Sequence, residues 1–354
     1  MSQYTAHISP ITFQHDLISW YQTVKRDLPW RENLDPYRIL VSEIMLQQTQ
    51  VVTVIPYYNR FMKLFPTAEA LAKAPEDELL KAWEGLGYYS RARNLQASAR
   101  MIVELGQFPT EFNDILKLKG VGPYTAGAVG SIAFGLPVPA VDGNVFRVFS
   151  RIGKIDHDIT LPSTRKVFET AVSSLISQVH PGDFNQGLME LGATICTPKL
   201  PKCMDCPLRK HCLAYQDDVV LELPVKSKAV KQKKIYYAVA IIENENGEWL
   251  LTKRPSTGLL ADFHEFQQFE YTTGTSAEMI ALQFPDAQQI TYKNATKHIF
   301  THLIWLMDFY HVKMKSQDVV LHDNDVWINP LNLSEYSVTT PHLKGLKSSS
   351  NSPK

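Results

Sequence analysis

The sequence has few cysteines, no excess of either charge and no long apolar run. It contains 354 residues, with only four cysteines and with 36 basic residues balancing 36 acidic ones. No apolar stretch approaches the roughly 20 residues that a membrane-spanning helix needs. The first residues lack the cationic start and apolar run of a secretory signal. These absences argue against export and against a membrane partner, and they predict a cytoplasmic location.

All four cysteines fall in one short stretch. Cys196, Cys203, Cys206 and Cys212 are spaced C-x6-C-x2-C-x5-C. Four thiolates suit a tetrahedral zinc ion or a [4Fe–4S] cluster. The first cysteine stands apart from three crowded ones, whereas structural zinc usually takes its ligands from two short knuckles. The spacing favours iron–sulfur over zinc, and two disulfides would need an oxidising compartment.

The hydrophobic pattern changes along the chain from helical spacing to alternation. Apolar residues recur at helical spacing in segments 13–25, 37–48, 51–65, 76–83 and 94–105. Alternation, with a turn between strands, follows in the second part, in segments 235–242, 248–252, 289–292 and 302–312. The pattern therefore predicts a multi-domain protein, with an all-α domain followed by an α+β domain.

The boundary between the two predicted domains falls in a lysine-rich stretch. Lys226, Lys228, Lys231, Lys233 and Lys234 follow one another without an intervening acid, as in a solvated linker or a polyanion-binding patch. Arg91 and Arg93 add local positive charge at a helix start. We predict a helical domain over residues 1–216 and a basic linker over 217–234. An α+β domain over 235–345 and a disordered tail over 346–354 follow.

Residues 118–126 (LKGVGPYTA) contain two glycines around one apolar residue, Gly120-Val121-Gly122. Such a turn between helices can present backbone amides to a phosphate, although a lone GxG more often merely connects two helices. Here it lies 20 residues before Asp142, which is followed by Asn144. With the cysteine spacing, this combination resembles the helix-hairpin-helix DNA glycosylase superfamily, in its iron–sulfur branch. The resemblance implies a [4Fe–4S] cluster in the loop 196–212.

Three further stretches resemble one family of that branch, the adenine DNA glycosylase (MutY) family. They are 42–51 (SEIMLQQTQV), 85–95 (GLGYYSRARNL) and 28–31 (LPWR). Each also has a purely structural interpretation, since Trp30 could belong to the core and Tyr88 to a buried tyrosine pair. Glu43 is different, because an unpaired carboxylate inside an apolar helix is costly. A catalytic role is therefore expected for Glu43.

The resemblance implies a mechanism that uses two carboxyl groups in unlike environments. Glu43, kept protonated by burial among apolar neighbours, would let adenine depart as a neutral base. Asp142 would offset the positive charge that develops on the sugar, with Asn144 in support. Asp142 could also cap a helix that begins near Gly143, which is compatible with catalysis.

Position 124 distinguishes this chain from its endonuclease III relatives. Those enzymes carry a lysine there, which forms an imine with the sugar and allows strand cleavage. This chain has Tyr124, and no lysine lies between Lys119 and Lys154. The substitution predicts a monofunctional glycosylase with little or no lyase activity.

The target base must leave the duplex stack before it can react. The resemblance implies that Gln48 and Tyr88 enter the vacated stack and that Leu86 and Thr49 lie close to the opposite base. The backbone of Gly120, Val121 and Gly122 would hold the DNA strand. The predicted adenine pocket consists of Trp30, Arg31 and Gln186.

The C-terminal part resembles the MutT-like (Nudix) module. It lacks the run of glutamates with which the parent hydrolase holds magnesium, so we expect no nucleotide hydrolysis. The segment Phe300-Thr301-His302 resembles the family's F-S-H loop and implies recognition of 8-oxoguanine. A buried Phe and His at a strand edge is the structural alternative.

The sequence as a whole predicts a base excision repair enzyme that removes adenine mispaired with 8-oxoguanine or guanine. The expected partner is double-stranded DNA with these mispairs, bound by a monomer in a bacterial, nucleoid-associated setting. The rival functions are a pyrimidine glycosylase with lyase activity, a catalytically silent damage-binding protein and a nucleotide hydrolase. Tyr124 argues against the pyrimidine glycosylase. The presence of Glu43, Asp142 and Asn144 together argues against the silent binder, and the missing glutamate run argues against the nucleotide hydrolase.

Overall fold

A computed structural model describes residues 2–227, 232–300 and 302–347. Its chain divides into two compact units, Met1–Pro75 with Ser90–Lys228 and Glu76–Tyr89 with Ala229–Lys354. The segment 76–89, which the sequence assigned to the helical domain, therefore groups with the second unit. Lys228 and Lys231 of the predicted linker lie outside the described residues.

Helices form the first unit, as the periodicity predicted. Proline at the first helical position and side-chain caps such as Asp35 and Thr67 start several of them, because both satisfy the demands of a helix N-terminus. The helices that precede the sheet are α1 (Pro10–Val24), α2 (Pro36–Leu46), α3 (Val51–Leu64), α4 (Ala68–Lys73), α5 (Glu76–Trp83, in the second unit), α6 (Ser90–Leu105), α7 (Phe112–Ile115), α8 (Pro123–Phe134), α9 (Gly143–Ile152), α10 (Arg165–Ser173), α11 (Pro181–Thr194) and α12 (Leu213–Gln216).

One core of the first unit joins α1, α9, α10 and α11. Phe13, Phe149 and Phe184 are fully buried in it, together with Val141 and Val145. Burial of each such large apolar side chain contributes about 1.5–3 kcal/mol. Val141 and Val145 flank the start of α9, so this core anchors the backbone that carries Asp142.

A tight turn after α7 leads into α8 and forms the predicted hairpin. Gly120 lies in the left-handed region, with φ of 74°, and a side chain there would also meet Asn94 of α6. Gly122 is the N-cap of α8, whose first residue is Pro123. Glycine is thus required at position 120 by both the turn and the close approach of α6.

The second unit contains a mixed sheet. Its central strand runs parallel to one neighbour and antiparallel to the others. The strands are β1 (Lys233–Glu243), β2 (Trp249–Lys253), β3 (His264–Glu265), β4 (Gln267–Tyr271), β5 (Gln289–Ile299), β6 (Leu303–Lys313) and β7 (Asp325–Ile328). They pair in the order β3-β2-β1-β6-β5, with β4 beside β1 and β7 beside β2.

Both faces of β1 are buried over its second half, residues 238–242. Ala238, Ala240 and Ile242 pack on one face with α13 (Ser276–Gln283), and Val239 and Ile241 pack on the other face with α14 (Thr340–Lys347). Strands and helices therefore form the predicted α+β architecture.

The predicted linker and tail differ from the structure at their edges. Residues 217–227 belong to the first unit, where the Ile159 N–H donates to the Val225 carbonyl at 3.1 Å. The disordered tail was predicted to begin at residue 346, but Leu346 lies in α14 and packs on the sheet. Residues 348–354 lie outside the described part. Among the described helices, none has both the length and the apolar character for a bilayer crossing.

Candidate active site

The helix α2 carries Glu43 on a buried face. Its N-cap Asp35 accepts hydrogen bonds from the backbone of Tyr37 and Arg38, and Ile44 and Met45 beside Glu43 are buried. Only 6% of Glu43 is exposed. The apolar sequence around this residue therefore places a carboxyl group where it has little water.

Glu43 opens into a cavity of about 650 Å³ within the first unit. The cavity brings together residues that are far apart in the sequence and that were predicted for catalysis, base flipping and adenine binding. Its walls include Trp30, Arg31, Glu43, Gln48, Thr49, Tyr124, Asp142, Asn144 and Gln186. A volume of this size is in the range of ligand sites, which are usually concave and partly apolar.

Tyr124 is in direct contact with Glu43. Its hydroxyl donates a hydrogen bond of 2.5 Å to Oε2 of Glu43. Burial raises the pKa of Glu43 to about 7; the Tyr124 hydrogen bond opposes this rise, whereas the nearby Asp142 charge adds to it. Burial also raises the pKa of Tyr124 well above its ordinary value, so the phenol remains a donor.

Asp142 is the N-cap of α9, as the capping interpretation required. Its Oδ1 accepts from the Val145 N–H at 2.7 Å, and its Oδ2 accepts from the Asn144 amide at 2.8 Å. Burial raises the pKa of Asp142, while these hydrogen bonds lower it. The hydrogen bonds favour the charged form of Asp142.

A buried arginine orients Asn144. Arg147 donates through Nη2 to Oδ1 of Asn144 at 2.9 Å and to the Gly192 carbonyl at 2.8 Å. Its Nε donates to the Cys196 carbonyl at 2.7 Å. A Cβ at Gly192 would lie 2.5 Å from Cβ of Asn144, so α11 can approach Asn144 only because residue 192 has no side chain.

Sequence reasoning missed Glu190, which is 1% exposed and lines the same cavity. Arg26 pairs with it at 2.5 Å and Arg31 at 2.9 Å. Its signal was available, because Leu188 and Leu191 around it are apolar, as the neighbours of Glu43 are. An acid in such a setting requires partners, and these lie 164 and 159 residues away along the chain.

The other predicted DNA-facing residues lie in the hairpin and in the second unit. Val121 is buried and uses its N–H within the turn, donating to the Leu118 carbonyl at 3.1 Å, whereas Gly120 is exposed and Gly122 half-buried. Leu86 is buried in the second unit, and Tyr88 is 47% exposed with a φ of 49°.

The four cysteines are free and line a single cavity of about 30 Å³. Arg151 donates to Sγ of Cys196 at 3.2 Å, and Val148, Leu191 and Leu208 supply apolar walls. Within residues 2–227, 232–300 and 302–347, no three His, Cys, Asp or Glu side chains already form a metal-binding group. The donor set and its apolar, cationic surroundings fit a thiolate-bound cluster.

Two residues of the predicted recognition segment, Phe300 and His302, lie between β5 and β6. Phe300 donates through its N–H to Leu303 at 2.8 Å, and its ring packs edge-on against Trp305 at 4.8 Å. His302 is exposed, which removes it from the core, and Thr301 lies outside the described residues.

Comparisons with known proteins identify the families that the two units resemble. Residues 41–175 match the model of the HhH-GPD superfamily base excision DNA repair protein, and residues 238–348 match that of the NUDIX domain. Adenine DNA glycosylase of Buchnera aphidicola subsp. Baizongia pistaciae is 33% identical over 342 residues, covering 95% of this chain and 96% of the relative. Adenine DNA glycosylase of Rattus norvegicus is 39% identical over 307 residues, covering 72% of this chain.

The chain spans 60% of the length of the rat relative. A solved structure described as a thermostable thymine-DNA glycosylase has a TM-score of 0.54 and 33% sequence identity. The match covers 59% of this chain and 97% of the chain in that structure. The helical unit thus has the fold of a DNA glycosylase.

Proposed function

The chain belongs to the adenine DNA glycosylase family, and from that premise we propose that it is a monofunctional glycosylase of base excision repair. Its substrate is adenine mispaired with 8-oxoguanine or guanine in double-stranded DNA. The observation that carries the proposal is the cavity shared by Glu43, Tyr124 and Asp142. A buried acid with a pKa of about 7 and a hydrogen-bonded carboxylate stand together there.

Glu43 acts on the base. Adenine is a poor leaving group as an anion, so transfer of a proton from Glu43 to a ring nitrogen lets it depart neutral. The pKa of about 7 keeps much of Glu43 protonated near neutral pH. Trp30, Arg31 and Gln186 line the cavity and hold the base against this acid.

Asp142 acts on the sugar. As the bond to adenine breaks, the sugar acquires positive charge, and the Asp142 carboxylate stabilises it through space. Asn144 holds that carboxylate by a hydrogen bond of 2.8 Å. Once adenine has left, the deprotonated Glu43 activates the water that completes the hydrolysis.

Entry of adenine into the cavity requires base flipping, at a cost of a few kcal/mol. Gln48 and Tyr88 fill the vacated stack, with Thr49 and Leu86 near the opposite base. The hairpin around Gly120 holds the backbone. In the second unit, Phe300, Thr301 and His302 recognise the 8-oxoguanine.

The cysteines Cys196, Cys203, Cys206 and Cys212 hold a [4Fe–4S] cluster. When bound, the cluster ties the loop 196–212 into one rigid piece. The support is that all four side chains line one cavity with Arg151 donating to Cys196. Purified protein is expected to contain about four iron and four sulfide per chain, and stoichiometric zinc would contradict this assignment.

Tyr124 limits the reaction to base removal. A phenol cannot form an imine, and this one is already engaged with Glu43. The Nudix-like unit is proposed not to hydrolyse nucleotides, because its sequence lacks the run of glutamates with which the parent hydrolase holds magnesium. Glu265 is paired with Arg254 at 2.6 Å, and Glu278 serves in the capping box of α13. We further propose that the protein acts as a monomer in the bacterial cytoplasm, on nucleoid DNA.

One set of incubations tests this function. Duplexes carrying adenine opposite 8-oxoguanine, adenine opposite guanine and oxidised thymine are compared under single turnover. The expected result is adenine release from the first two and strand cleavage only after alkali. Borohydride trapping of a strong covalent adduct, or release of oxidised thymine, would favour the lyase alternative. Glu43→Gln should abolish release and retain binding.

A further inference from the structure

Arg91 is turned inward at the start of α6 rather than toward solvent. The sequence indicated a cationic helix start at Arg91 and Arg93, but Arg91 is only 9% exposed. Its Nη1 donates to the carbonyl oxygens of Ile44 at 2.9 Å, Met45 at 3.1 Å and Gln47 at 2.5 Å. A buried guanidinium with these contacts cannot serve as a surface phosphate ligand.

The three carbonyls mark the C-terminal end of α2. The last carbonyls of a helix have no partner within it, and a cation is favoured there because of the helix dipole. Thr49 satisfies the Leu46 carbonyl through its N–H at 3.2 Å. Arg91 satisfies those of Ile44 and Met45, so it completes the end of the helix that carries Glu43.

We call the contacts of Arg91 with the carbonyls of residues 44, 45 and 47 the Arg91 clamp. The next residue, Gln48, has an unusual backbone conformation. Gln48 has a φ of 57°, in the left-handed region that residues with side chains seldom adopt. Such a conformation persists only where the surroundings hold it. Arg91 binds the preceding Gln47 carbonyl and reaches Oγ1 of Thr49 at 3.5 Å, so it brackets Gln48 on both sides.

We propose that Arg91 is a positioning residue, which holds Gln48 in the conformation that enters the DNA stack. It acts through the backbone of α2 and the 47–49 turn, without touching substrate. The inference rests on the proposed function, in which Gln48 fills the space left by adenine. The planar fork of arginine is essential to it, because Nη1 binds the carbonyls before Gln48 while Nη2 reaches Thr49 after it, and a lysine ammonium has only one nitrogen to offer.

A double-mutant cycle tests the pathway of this effect. Single-turnover adenine excision is measured for Arg91→Lys, Gln48→Ala and the double variant. We expect Arg91→Lys to slow excision about tenfold when Gln48 is present and less than about twofold when residue 48 is alanine. Additive losses in the double variant would overturn the proposal, because Arg91 would then act independently of Gln48.

Arg100→Lys is the matched control, since Arg100 lies on the same helix, is exposed and donates to the Ala72 carbonyl at 3.2 Å. It should excise adenine at the unmodified rate. A similar loss in this control would mean that any arginine exchange on α6 acts through stability, and would also overturn the proposal.

Hydrogen exchange of the free protein gives a readout that does not depend on adenine excision. Arg91→Lys should increase amide exchange in residues 46–49 while leaving α8 unchanged, and Arg100→Lys should change neither. Unchanged amide exchange in residues 46–49 would overturn the proposal that Arg91 holds this turn. If the unmodified chain excises no adenine, the proposed function fails, whereas this measurement still decides the role of Arg91.

Discussion

The hydroxyl of Tyr124 and the carboxyl group of Glu43 share a hydrogen bond of 2.5 Å across 81 positions of the sequence. Burial raises the pKa of Glu43 to about 7, and this hydrogen bond restrains the rise because it stabilises the carboxylate. In the proposed mechanism, the two side chains therefore set how much of Glu43 is protonated at neutral pH.

The excision rate is expected to fall as the pH rises above about 7. Glu43 must carry its proton to assist the departure of adenine, and above its pKa the charged form predominates. Each further pH unit should then slow single-turnover release about tenfold. Rates measured with excess enzyme between about pH 6 and about pH 9 check this fall in rate, which forms the alkaline limb of the pH profile. A flat profile would exclude Glu43 as the acid.

Tyr124→Phe should move this limb to higher pH. The phenylalanine removes the donor that stabilises the Glu43 carboxylate, so the pKa of Glu43 rises further and its proton is retained longer. Tyr37→Phe is a suitable control, since Tyr37 is buried on α2 but donates to the Phe65 carbonyl at 2.9 Å. If both variants keep the original limb, the hydrogen bond does not tune Glu43.

Gly192→Ala should impair catalysis through Asn144. The new Cβ would stand 2.5 Å from Cβ of Asn144, which must shift and lose its hydrogen bond to Asp142. We expect a loss of about 2 kcal/mol in unfolding free energy and a lower kcat with KM little changed. Urea unfolding and steady-state kinetics measure the two effects.

Gly143→Ala is the control for the unfolding measurement, because a Cβ there meets no atom within 4 Å. It should unfold near the urea concentration of the unmodified protein. Equal stability of Gly192→Ala and Gly143→Ala would mean that α9 and α11 are not in the close contact described.

Glu190→Gln should destabilise the first unit. The exchange leaves Arg26 and Arg31 without their buried counter-charge, and loss of one partner of a buried pair costs about 3 kcal/mol. The exposed pair of Asp114 and Lys117 offers a contrast, since Asp114→Asn should cost less than about 1 kcal/mol. Urea unfolding compares them, and equal effects would contradict the buried network.

Local patterns in the sequence predicted the elements that depend on local chemistry. The helix α5 was predicted with its observed bounds, 76–83, and the hairpin glycines followed from their turn. The helix α2 was predicted to reach residue 48 but ends at Leu46, because Arg91 binds the carbonyls at its end and Gln48 turns left-handed. Such a stop depends on a residue from another helix.

Long-range pairings explain the remaining differences. Strand β5 was predicted over 289–292 but extends over Gln289–Ile299, since most of its side chains are exposed and show little hydrophobic alternation. Gly192 carries no local motif, and the apolar neighbours of Glu190 mark it as an acid that needs partners without naming them; Arg31 and Asn144 reach these two positions only through the fold.

The position of Asp142 as the first cap of α9 bears on how an inactive enzyme should be made for trapping DNA. Asparagine also caps helices well, so Asp142→Asn removes the charge yet keeps an acceptor for the Val145 N–H. Alanine removes both, and a helix lacking its cap loses about 1 kcal/mol. A structure of the Asp142→Ala variant with DNA would therefore combine a frayed start of α9 with the loss of the carboxylate.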